Sequence, residues 1–72
     1  MESVRFIPEL LKSQMVKNKI NAESMSDKLG INITTFYRKL NGESEFTRQE
    51  MGVIKSLLCL SKEDMDSIFF AQ

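Results

Sequence analysis

The sequence predicts an all-α fold of five short helices in one compact domain. Three observations carry this. Apolar residues recur every three to four positions, and no stretch alternates with a period of two. Residues that cap helix starts (Asn21, Asn32, Thr47, Ser61) each stand just before such a stretch. Gly30 and Gly42 stand just after two of them, where a helix ends most easily.

The first helix is expected from Pro8 to about Asn18. Proline suits its first turn because the missing N–H needs no partner there. Ile7, Leu11 and Met15 form its inner stripe, with Leu10 alongside. Asn21 caps a second helix, Ala22–Leu29, with Met25 and Leu29 inward; Gly30 ends it. Asn32 caps a third, Ile33–Leu40, with Phe36 and Leu40 inward, and Asn41-Gly42 closes it with two residues tolerant of positive φ. Thr47 and Glu50 have the spacing of a capping box. They open a fourth helix that buries Met51, Ile54, Leu57 and Leu58. Ser61 caps a fifth, where Glu63 and Asp64 favour the positive helix end. Its apolar stripe is Met65, Ile68 and Phe69. Phe70 falls about 100° away and is expected to be exposed.

Bulk properties narrow the function. With 72 residues the chain has room for one small core. No apolar run is long enough to cross a bilayer, and Met1–Phe6, with Glu2 and Arg5, does not read as a secretory leader. A cytoplasmic protein with no membrane contact is expected. The lone cysteine, Cys59, has no disulfide partner, and there is no histidine, so no metal site or other cofactor is expected. Cys59, between Leu58 and Leu60, reads as a small buried apolar side chain. No paired carboxylates or activated nucleophile can be assembled, so neither an enzymatic role nor a small-molecule substrate is expected. Basic and acidic residues balance at ten each. Their distribution is uneven, with a net +3 over residues 1–42 and −3 over residues 43–72. Such polarity suits one cationic working face and one acidic back.

The segment from Asn21 to Gly42 holds the most specific pattern. Met25, Leu29, Ile31, Phe36 and Leu40 supply a shared core for two short helices, Gly30 permits the sharp turn, and small Ser26 permits close approach. The run Leu29-Gly30-Ile31-Asn32, then Phe36, then Leu40-Asn41-Gly42, with a helix after it, resembles the Cro/repressor, or XRE-like, helix-turn-helix family. The likeness covers roughly Lys12 to Leu60. Thr-Thr-Phe-Tyr-Arg-Lys-Leu-Asn-Gly followed by Glu-Phe-Thr looks most like small temperate-phage regulators, among them Cro-like proteins and modulators of repression.

The resemblance implies a lambda-repressor-like fold whose third helix is the recognition helix. Ile33, Thr34, Tyr37 and Arg38 would then take the outward positions. Arg38 would suit a guanine edge, Asn41 a backbone contact, and Lys39 and Lys28 phosphate attraction. The implied partners are double-stranded operator DNA and the cognate phage repressor. Two positions depart from the family pattern. Ala22 and Ile33 stand where operator binders often carry glutamine, which removes hydrogen-bonding groups from the DNA side. The sequence therefore leans toward a regulator that modulates its cognate repressor by direct protein binding, with weak or partner-assisted DNA binding. The alternative is an autonomous Cro-like operator-binding repressor.

Overall fold

The computed structural model describes residues 5–72; Glu2 and the rest of residues 1–4 lie outside that range. It contains α1 (Pro8–Lys17), α2 (Ala22–Leu29), α3 (Ile33–Leu40), α4 (Arg48–Leu58) and α5 (Lys62–Phe69). Among the described residues there is no strand. A single antiparallel bridge joins Arg5 to Ala71, and Ile7 N–H donates to the Ile68 carbonyl at 2.7 Å, so the segment before the first helix is held against the end of the fifth. No β-hairpin follows Gly42.

The helix starts are built as their caps dictate. Asn21 Oδ1 accepts from Ser24 N–H at 2.8 Å, and Asn32 Oδ1 from Thr35 N–H at 2.9 Å. Thr47 with Glu50 and Ser61 with Asp64 both form reciprocal capping boxes. The helix ends follow one design four times. A residue at positive φ turns the chain, its N–H reaches back three residues, and the next N–H reaches back five. These pivots are Lys19 (φ 58°), Gly30 (72°), Gly42 (85°) and Cys59 (51°). At Gly30 an added Cβ would meet no atom within 4 Å, so the backbone angle, not space, calls for glycine. Asn41 differs from expectation: its φ is −85°, and Gly42 alone takes the left-handed turn.

Cys59 also departs from expectation. It is exposed, because as the left-handed pivot after α4 it projects away from the core while Leu58 and Leu60 fill it. A non-glycine residue pays steric energy in this conformation. Cys59→Gly should therefore raise stability by about 0.5–1 kcal/mol, whereas Ser56→Gly, inside the same helix, should lower it by about 0.5 kcal/mol. Urea unfolding of both variants checks this; a loss at both positions would mean that the pivot is unstrained.

The core runs through Leu11, Met15, Met25, Phe36, Leu40, Phe46, Ile54, Leu58, Leu60, Ile68 and Phe69. α2 packs against α3 and α4, and α1 against α5. Met51, Leu57, Met65, Leu29 and Ile31 are only partly buried at its margin, and Leu10 is exposed. Ser26 is buried at the α2 interface, where its hydroxyl donates to the Glu23 carbonyl at 2.9 Å, so the close packing leaves no polar atom unpaired. Phe46 was not among the expected core residues. It lies between α3 and α4 yet is 7% exposed, and its ring centroid is 5.5–6.1 Å from those of Phe6, Phe69 and Phe36. This aromatic hub is what sets α3 and α4 relative to the segment before α1 and the end of α5.

Candidate interaction face on α3

α2 and α3 are joined by the turn at residues 30–32 and share Met25, Phe36 and Leu40 as their common core. Burying Phe36 and Leu40 at i and i+4 fixes which way the rest of α3 points. Arg38 lies opposite that buried line. Thr34 and Asn41 stand to one side of it, and Ile33 and Tyr37 follow on the same side, nearer the core. All five are exposed. Ile33 retains 39% and Tyr37 47% of their surface, comparable with Leu10 and Phe70 and below Val16. The Tyr37 ring leans edge-on against Phe36, with centroids 6.2 Å apart, so the buried ring orients the exposed one. Lys28, in the last turn of α2, is exposed as well.

Lys39 does not join this face. Its ammonium turns toward α4 and pairs with Glu50 Oε1, with both side chains nearly buried (11% and 12% exposed). The ammonium also lies 6.0 Å from the Phe46 ring centroid. The same Glu50 oxygen accepts the Thr47 N–H at 2.8 Å, so one carboxylate caps α4 and fastens α3 to it. Nothing local in the sequence signals this pair, because its members stand eleven positions apart. The surface is left with Arg38 and Lys28 as the exposed cations among the seven residues proposed for it.

Burial pushes the Glu50 carboxyl up. The hydrogen bond from Lys39, the Thr47 backbone N–H, the Lys39 charge and the Thr47 hydroxyl outweigh it, and the group is held below its ordinary value of 4.5. A carboxylate depressed in the folded state stabilises above its unfolded pKa and loses that contribution as pH falls through the folded value. Stability should thus drop on acidification below about pH 4.5, and Glu50→Gln should flatten that part of the profile. Lys39→Ala should cost about 1–2 kcal/mol of stability and leave binding at the α3 face unchanged. Thermal melts across pH, paired with a binding titration, check both; a Lys39→Ala variant that is fully stable but loses binding would return Lys39 to the working face.

No group of three or more His, Cys, Asp or Glu side chains among the described residues is placed to hold a metal ion. No described helix is long and apolar enough to cross a membrane. The chain matches no protein-family model, no curated protein and no solved structure.

Proposed function

We propose that the chain is a phage-type helix-turn-helix regulator in which α2 and α3 form the motif of a lambda-repressor-like domain. It acts mainly by binding its cognate repressor, and it meets operator DNA weakly or with that partner's help. The observation that carries this reading is the makeup of the α3 face. Two large side chains, Ile33 and Tyr37, stay exposed there around Arg38, while Lys39, a natural phosphate contact, is committed to Glu50. Apolar, aromatic and arginine side chains together are the usual makeup of a protein hot spot. A DNA-reading helix needs surplus cations for phosphates, and this one has few.

The autonomous operator-binding alternative draws on Thr34, Arg38 and Asn41, which are exposed on α3 and offer hydrogen-bonding groups to base edges and backbone. Fluorescence anisotropy with the protein's own promoter fragment separates the two. The proposed function predicts weak binding by the protein alone that fades steeply between low and physiological salt. Tight, sequence-specific binding at physiological salt by the protein alone would favour the alternative.

A further inference from the structure

A groove of about 530 Å³ opens beside the α3 face, between the C-terminal half of α1, the start of α2, and Tyr37. Its floor is formed by the buried Met15 and Leu40, and Val16, Ile20 and Tyr37 line it. Val16 is 78% exposed, the highest value for any large apolar residue among those described. Two cations, Lys12 and Lys19, also line the groove, and no carboxylate does. Among the described residues the only ion pair is Lys39–Glu50, so both lysines keep their charge available. Lys19 is fixed by its backbone: as the left-handed pivot after α1, it is held by Lys19 N–H to Val16 carbonyl and Ile20 N–H to Met15 carbonyl bonds of 3.1 and 2.9 Å.

We infer that this groove is a docking site for an acidic amphipathic helix of a protein partner. The inference rests on the protein-binding reading above and extends the α3 contact onto α1. The groove is bounded by helices and offers no strand edge, so an incoming segment gains no ladder hydrogen bonds. It must satisfy its own backbone, as a helix does. An apolar ridge at i, i+3, i+4 and i+7 covers Val16, Ile20 and Tyr37. Lys12 lies on α1 and Lys19 just beyond its Asn18 cap, so both cations come from the α1 side of the groove. Carboxylates flanking the apolar ridge of a partner helix meet these two ammonium groups, and no carboxylate of the groove competes with them. Duplex DNA does not explain the site, because a phosphate backbone gains nothing from Val16 and Ile20.

The test uses the whole protein, ¹⁵N-labelled, and two stapled helical peptides. Both carry leucines at i, i+3, i+4 and i+7; one has glutamates on its flanks and the other lysines. The acidic peptide should shift the amides of Val16, Ile20 and Tyr37, and the basic one should not. Val16→Glu, at a site exposed enough to leave the fold intact, and the double variant Lys12→Glu/Lys19→Glu should each weaken the acidic peptide roughly tenfold or more. Equal binding of the two peptides, shifts confined to other residues, or the same shifts produced by promoter duplex would overturn the inference. The same variants titrated with the repressor separate the two claims. If Val16→Glu binds the repressor normally while Ile33→Ala does not, the groove is refuted and the proposed function stands. If no repressor binds but the acidic peptide does, the proposed function fails and the groove remains.

Discussion

Phe46→Ala should remove most of the protein's stability, although Phe46 belongs to no helix. Its ring is nearly buried and touches Phe6, Phe36 and Phe69, so truncation removes the contact that joins α3, the segment before α1, the end of α5 and the start of α4. Removing a buried phenyl ring costs about 3–5 kcal/mol. A domain this small has a total stability of about 5 kcal/mol. Phe36→Ala should cost as much, since Phe36 is fully buried between α2 and the hub. Circular dichroism melts should show both variants melting more than about 10 °C below wild type. Phe46→Leu, which retains most of the volume, should stay folded. A Phe46→Ala protein that melts like wild type would mean that the hub is dispensable and that the helices alone fix the fold.

The second large effect is expected at the α3 face, and there it falls on binding rather than stability. Ile33→Ala and Tyr37→Ala should each weaken repressor binding by about 2 kcal/mol, close to thirtyfold, and affect DNA binding less. Arg38→Ala should weaken both, because a guanidinium serves carboxylates, phosphates and guanine edges alike. None of the three should alter helical content, since each side chain is exposed and the buried line of Phe36 and Leu40 is untouched. Titration of each variant against the repressor and against promoter DNA reads the pattern directly. Three variants that bind both partners like wild type would move the interface away from α3.

What the sequence made legible is local. Asn21, Asn32, Thr47 and Ser61 act within three residues of themselves, so their caps and the helices they open follow from spacing alone. The buried faces of α2 and α3 were legible for the same reason. The rest depends on long-range placement. Phe46 stands alone between Glu45 and Thr47, with no periodic neighbours to mark it as core. Lys19 and Cys59 turn the chain without glycine, so neither pivot has a sequence signature. Lys39 looked like a surface cation because its partner Glu50 belongs to another helix. The outward residues of α3 followed from the helical period, whereas the neighbouring groove at Val16 and Ile20 exists only because α3 lands beside the end of α1.

The central claim is that this surface recognises a protein. Calorimetric titration of the purified chain with its cognate repressor, in the absence of DNA, tests it most directly. The account predicts a saturable complex whose affinity falls about thirtyfold in Tyr37→Ala and is retained in Lys39→Ala. Absence of any complex with the repressor, together with tight binding of the chain alone to operator DNA, would contradict it.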